Sequence, residues 1–217
     1  MKILSANLWC YNPWQEQTIK KLWQLNNDIL VFQEIKPQLV DFLRQYAAAA
    51  NMTLIEVKSN QQMVLAIVSR LPIRESAIIN WDNFAQRPQI RIQLSSGITI
   101  FAIHLTAPIT LAKYALRQRQ LGQLADLINQ SSNPVISIGD FNTDVTEGAF
   151  KRFMKQTKNC AHGRSGNWDN KSWLSVFPLF AIDHLIYSNY FELQNFTINN
   201  FNGSDHLPIS AVLREDF

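Results

Sequence analysis

Two cysteines, Cys10 and Cys160, are too few for a disulfide framework, and they do not form a CxxC pair. Their scarcity excludes a disulfide-stapled scaffold and a thiolate zinc site, and it makes a reducing, cytoplasmic setting the expectation. Long hydrophobic runs are missing as well. The opening Met1-Lys2-Ile3-Leu4-Ser5-Ala6-Asn7 is too short for a signal peptide or a membrane span, and no 18-residue apolar stretch follows. No stable membrane insertion is expected. No Gly/Ser-rich or Pro-rich stretch is long enough to act as a linker. Charge of either sign is modest: 20 basic and 17 acidic residues leave a net +3, which argues against a protein that coats nucleic acid by electrostatics alone.

What the 217 residues do contain is apolar and aromatic side chains, at 47% and 11%, well above what disordered chains carry. That content predicts one domain over residues 1–217, folding around a substantial core. The sequence leaves the oligomeric state open, with a monomer as the expectation. Short apolar runs bounded by polar or turn residues occur at 3–8, 29–33, 64–69, 90–94, 98–104, 135–138, 182–187 and 209–213, implying eight or more strands. Apolar residues three or four apart predict helices over 15–26, 39–50, 112–130 and 148–157, the third burying Leu116, Leu121, Leu124, Leu127 and Ile128. The short Ser95-Ser96-Gly97 turn between two of the runs indicates a hairpin, and therefore a mixed sheet. A two-sheet sandwich flanked by helices fits this order of elements.

Candidate chemistry gathers where apolar runs emerge into polar residues. In Val135-Ile136-Ser137-Ile138-Gly139-Asp140-Phe141-Asn142, strand periodicity would point Asp140 and Asn142 to one face. A carboxylate there can orient a water, and an amide can bond a phosphoryl oxygen. The same residues also suit a turn in which Asp and Asn bond their own backbone. Adjacent Asp205 and His206 follow a Gly-containing turn, with Asp183 a candidate to orient the imidazole; an ordinary loop would look the same. Glu34 and Asn7 end strands, and such oxygen ligands suit Mg²⁺.

Taken together and in order, Ser5-Ala6-Asn7-Leu8-Trp9, Val31-Phe32-Gln33-Glu34, Ile67-Val68-Ser69-Arg70-Leu71-Pro72-Ile73, Ile103-His104-Leu105-Thr106-Ala107-Pro108, Gly139-Asp140-Phe141-Asn142, Ile182-Asp183-His184-Leu185-Ile186 and Ser204-Asp205-His206-Leu207-Pro208 resemble the endonuclease/exonuclease/phosphatase superfamily, with its deoxyribonuclease I-like fold. The resemblance implies a four-layer α/β/β/α sandwich of two mixed β-sheets flanked by helices, and a metal-dependent hydrolase of phosphate esters. It implies that Glu34, helped by Asn7, holds Mg²⁺ or Mn²⁺ with Asp205 nearby, and that Asp140 positions and activates water. Asn142 and His206 would grip phosphoryl oxygens, Asp183 would orient His206, and His104 would contact the phosphate. Arg117 and Gln120 would support structure.

Two departures stand out. Trp9 occupies a position that is acidic in some members, and Gln61, Gln62 and Met63 stand where some members carry a carboxylate partner for the histidine matched by His104. Substrate choice lies in loops outside these motifs. A nuclease acting on phosphodiester bonds is the first expectation, and a lipid or small-metabolite phosphatase or phosphodiesterase is the alternative. A basic stretch from Lys151 to Lys171 could meet an anionic substrate or form a solvated face. Residues 163–178, with Trp168 and Trp173 beside Arg164 and Lys171, suit base stacking, a membrane interface or a plain loop equally.

Overall fold

The computed structural model describes residues 1–59, 63–81, 87–163, 171–175, 179–200 and 203–215. In chain order the elements are β1 (Lys2–Asn7), α1 (Gln15–Trp23), β2 (Ile29–Ile35), a 3-10 turn (Pro37–Leu39), α2 (Val40–Ala49), β3 (Thr53–Lys58), β4 (Val64–Ser69), β5 (Ile73–Ile79), β6 (Gln89–Leu94) and β7 (Thr99–His104). There follow α3 (Leu111–Gln130), β8 (Val135–Asp140), α4 (Gly148–Gln156), β9 (Cys160–His162), β10 (Asp183–Ser188), β11 (Phe191–Ile198) and β12 (Ile209–Glu215).

These strands form two six-stranded sheets, ordered β11-β12-β1-β2-β4-β3 and β5-β6-β7-β8-β10-β9. Each sheet is antiparallel except at its centre, where β1 runs parallel to β2 and β7 parallel to β8. Parallel neighbours need a crossover, and α1 and α3 supply one each. The β6–β7 hairpin closes through Ser95-Ser96-Gly97, where the Leu94 amide donates to the Ile98 carbonyl (2.8 Å) and Gly97 takes φ +95°.

Period-two alternation explains the four layers. In β1 and β2, Ile3, Ile29 and Val31 point inward to meet Ile90, Ile92, Ile100 and Ile138 of the other sheet. Their neighbours Leu4, Leu30 and Phe32 point outward, against Ile19 and Leu22 of α1 and Leu43 and Ala47 of α2. On the opposite outer face Phe101, Ile103 and Phe141 pack against Leu116, Leu121, Leu124 and Ile128 of α3 and Phe150 and Phe153 of α4. Central strands are thus covered on both faces and read as unbroken apolar runs.

Four strands, β3, β5, β9 and β11, were not among the apolar runs. They are the four sheet edges, with mixed or exposed side chains that break the pattern. The helices fall where periodicity places them, with Leu127 of α3 only half buried. Among the described residues no helix is long and apolar enough to cross a membrane.

The arrangement brings the carboxyl ends of β1, β2, β7 and β8 to one end of the sandwich. β10 begins there, since Asp183 is registered opposite Asp140. Gly139 is needed at this end: its φ is +146°, and a Cβ would lie 2.0 Å from the Ile103 carbonyl oxygen.

Candidate active site

Glu34 reaches the site through a bulge. The register of β2 against β4 slips between Phe32 and Ile35, and Glu34 takes φ +57°, a conformation that costs a non-glycine residue roughly 1–3 kcal/mol. Its carboxylate is held in place by the Cys10 amide, which donates to Oε2 at 3.1 Å, while Gln15 Nε2 donates to its carbonyl at 2.8 Å. Asn7 at the end of β1 links this carboxylate to a second one, because its Nδ2 lies 3.3 Å from Glu34 Oε1 and 3.1 Å from Asp140 Oδ2. The Asn7 Oδ1 accepts from the Trp9 amide at 3.0 Å. In this state Asn7 therefore sets the spacing of two carboxylates and does not present its own oxygen.

Asp140 and Asn142 meet, although not by strand alternation. β8 ends at Asp140, and Asn142 lies beyond it at φ +49°. The Asn142 amide donates to Asp140 Oδ1 (2.8 Å) and its Nδ2 to Asp140 Oδ2 (3.0 Å) and the Leu105 carbonyl (3.0 Å). The self-bonded turn and the functional pairing are the same structure. Arg117, fully buried on α3, braces this turn by donating to the Asn142 carbonyl and pairing with Glu147, and Gln120 Oε1 accepts from the Thr106 amide at 3.0 Å. Both act on the frame, as expected.

His206 and Asp183, 23 positions apart, come together with Nδ1 2.8 Å from Asp183 Oδ2. The Ser172 hydroxyl donates to the same carboxylate oxygen, and the Ser204 hydroxyl holds the loop by accepting from the His206 amide (3.1 Å) and donating to the Asn7 carbonyl (2.7 Å). His206 Nε2 lies 4.0 Å from Asp140 Oδ2. Burial alone would lower the His206 pKa, but the charges of Asp183, Asp140 and Asp205 and the Asp183 hydrogen bond push it up to about 10. His206 is therefore an imidazolium at neutral pH. Burial and the Asp183 charge push Asp140 up to about 7, opposed by His206, the Asn142 amide and Arg87. Asp140, Asp183 and His206 also form a buried group whose donor atoms lie within 4.8 Å of one another, close enough to hold a metal ion.

His104 completes the ring. Its Nε2 is 3.5 Å from Glu34 Oε1 and 3.7 Å from Asp140 Oδ2, so acidic neighbours come from β2 and β8. Gln61 and Gln62 lie outside the described residues, as do Arg164 and Trp168. Gln89 fixes the His104 backbone, accepting from its amide and donating to its carbonyl (2.9 Å). The side chain also contacts the Arg87 guanidinium, which donates to the Leu105 carbonyl at 3.0 Å. Burial, helped by the Arg87 charge, lowers His104 to about 4, so its ring is neutral. Glu34 is held well below the usual carboxylate range despite burial, chiefly by His104, the Cys10 amide and Arg87.

Arg87 and Ser172 carry no local mark in the sequence, and tertiary folding alone brings them in; Trp173, a candidate for base stacking by its sequence, also enters the site through its indole N–H. Trp173 Nε1 donates to Asp205 Oδ2 at 3.3 Å. The other Asp205 oxygen, Oδ1, is buried without a hydrogen-bond partner among the described residues. An orphaned carboxylate oxygen, with Glu34 and Asp140 held side by side, makes an oxygen-rich, cation-seeking donor set of the kind hard divalent ions take.

The chain belongs to the Endonuclease/Exonuclease/phosphatase family, whose model matches residues 4–206, and it is a hydrolase of phosphate esters. No curated protein matches the chain. Among solved structures it is similar to the human Nocturnin catalytic domain, at 16% identity and TM-score 0.79, covering 100% of this chain and 94% of that one. It is similar to the 3' phosphatase NExo from Neisseria bound to product DNA hairpin, at 17% identity and TM-score 0.79, covering 100% of both chains. A humanized D. rerio TDP2 gives 18% identity and TM-score 0.81, covering 99% of this chain and 98% of that one. At such identities the likeness establishes a shared fold.

Proposed function

We propose that this protein is a Mg²⁺- or Mn²⁺-dependent phosphodiesterase that cleaves nucleic acid, working as a single domain. The observation that carries the reading is that one carboxylate, Asp140, faces Glu34 through the Asn7 amide on one side and the His206–Asp183 pair on the other. Similar folds bound to a product DNA hairpin or a single-strand DNA product support nucleic acid as the substrate class. The two cysteines are free, which suits a reducing cytoplasm.

Glu34 and Asp205 would hold the cation, with Asn7 spacing Glu34 from Asp140. When bound, it supplies countercharge for the phosphoryl oxygens. Asp140 accepts the proton of the attacking water, for which a carboxylate near 7 is suited at neutral pH. Asn142 orients Asp140, and because both hydrogens of its Nδ2 are engaged by Asp140 and the Leu105 carbonyl, it would reach a phosphoryl oxygen only by giving up one of those bonds. His206, kept charged by Asp183, donates from Nε2 to a second phosphoryl oxygen, where negative charge builds in the transition state. Neutral His104 stands ready to hydrogen-bond the phosphate or leaving oxygen.

Hydrolysis of plasmid DNA and of single-stranded oligonucleotides, compared with phosphate release from a lipid and metabolite panel, tests the reading. The expected result is metal-dependent cleavage of nucleic acid; turnover confined to lipids or small metabolites would contradict it.

A further inference from the structure

The mouth of the site carries aromatic rings that the proposed chemistry does not use. Trp9 and Tyr11, in the loop between β1 and α1, have ring centroids 6.1 Å apart at 71°, and Tyr11 is 78% exposed. The loop is tied to the catalytic end: the Trp9 amide bonds Asn7 Oδ1, and the next amide, that of Cys10, bonds Glu34. Trp9 takes φ +54°, so its ring is carried in a conformation that the surrounding hydrogen bonds must impose. A second pair, Trp173 and Phe180, has centroids 5.7 Å apart at 39°. This pair is anchored too. Trp173 Nε1 bonds Asp205, its backbone bridges to His206, and Phe180 remains 43% exposed.

We propose that these two aromatic pairs are stacking platforms for unpaired bases next to the scissile phosphate, so that the substrate is single-stranded nucleic acid. This inference rests on the phosphodiesterase reading above and narrows it. Each pair ties one ring to the site through its backbone or indole N–H and leaves apolar ring surface open to solvent, on Trp9 (37% exposed) and Tyr11 in the first and on Phe180 in the second, within a few residues of the groups that would hold the phosphate. A planar heterocycle joined to a phosphodiester presents those two features together. Bases inside a duplex are already stacked and paired, and must be extruded to reach such a surface. The Lys36 ammonium, bonded to the Asn12 carbonyl at 2.6 Å, adds a cation to the loop that carries Trp9 and Tyr11. Aromatic rings with neighbouring cations are the pattern by which proteins bind single strands without reading sequence.

The test compares three oligonucleotides of equal length and charge: a single strand with ordinary bases, the same strand with abasic spacers flanking the cleavage point, and a duplex. Wild-type protein should cleave the base-bearing single strand most efficiently. Tyr11→Ala and Phe180→Ala should each raise its KM about tenfold, the size expected for losing one stacked base. Both variants should leave turnover of the abasic strand unchanged. Anisotropy of a labelled strand in excess chelator carries the same comparison when nothing is hydrolysed, with affinity falling for the base-bearing strand alone. Equal effects on base-bearing and abasic strands, or retention of full base preference by both variants, would overturn the inference. Abasic cleavage without any base preference would sink the platforms and leave the phosphodiesterase reading standing. Absence of hydrolysis on every strand, with base-dependent binding intact, would do the reverse.

Discussion

Asp183 and His206 act as one group in this site, because the carboxylate both orients the imidazole and keeps it charged. His206→Ala should lower kcat by about two to four orders of magnitude, the range for losing a positioned donor in the transition state. Asp183→Asn should approach that loss, and the double variant should be little worse than the poorer single one; losses that multiply would separate the two roles. The pH profile gives an independent reading. The folded-state pKa of His206 is raised to about 10, so its charge is present below that value and is lost as pH rises through it. Removing the Asp183 charge lowers that pKa, and the alkaline fall in turnover should move to lower pH in Asp183→Asn. An unmoved alkaline limb would contradict the assignment. Of the candidate site residues, Asn7, Glu34, His104 and Asp140 stand out in the sequence as polar residues where apolar runs emerge, whereas Asp183, Asp205 and His206 are marked mainly by the ordered motifs they sit in. Arg87 and Ser172 have neither mark, since their proximity to His104 and Asp183 is made only by packing.

Legibility of the elements followed their place in the sheets. The eight strands interior to the sheets were visible as apolar runs, whereas β3, β5, β9 and β11 lie at the edges and carry Glu56, Arg74, Glu75 or Glu192 among their side chains or, for β9, only three residues. Edge strands need polar groups to discourage further pairing, and that need hides them from a search for hydrophobicity. Within the elements, two positions fix the site. Gly139→Ala should destabilise the protein by about 3 kcal/mol, because a methyl group would meet the Ile103 carbonyl at 2.0 Å on a backbone with φ +146°. Chemical denaturation reads this, and an unchanged midpoint would show that β7 and β8 can separate freely. Arg117→Met should cost about 1–3 kcal/mol by removing the donor to the Asn142 carbonyl and leaving the partly exposed Glu147 carboxylate to the Asp144 amide, and it should reduce kcat more than KM as the Asp140–Asn142 turn loosens. A variant with normal stability and kcat would remove Arg117 from the frame.

Across the whole molecule, burial of titratable groups near the site makes folding depend on pH. His184, fully buried with Nε2 against the Thr143 carbonyl at 2.7 Å, has its pKa lowered by burial from 6.5 to about 4. The unfolded chain takes up a proton below 6.5 that the folded chain refuses until about 4, so stability should fall as pH drops through that window. The loss expected from this residue is on the order of 3 kcal/mol. Urea midpoints at pH 7 and pH 5 should differ in wild type and differ less in His184→Gln; equal differences would place the effect elsewhere.

The two sheets converge so that Asn7, Glu34 and His206 from one meet Asp140 and Asp183 from the other across the interface between them, and the proposed metal-dependent cleavage rests on that meeting. The most direct measurement is hydrolysis of a single-stranded oligonucleotide in Mg²⁺ by wild type and Asp140→Asn, each before and after excess chelator, with the fold of the variant verified by its denaturation midpoint. Wild-type turnover should vanish in chelator and return with Mg²⁺ or Mn²⁺, and Asp140→Asn should lose about three orders of magnitude or more while remaining folded. Chelator-resistant cleavage, or turnover by Asp140→Asn equal to wild type, would contradict it.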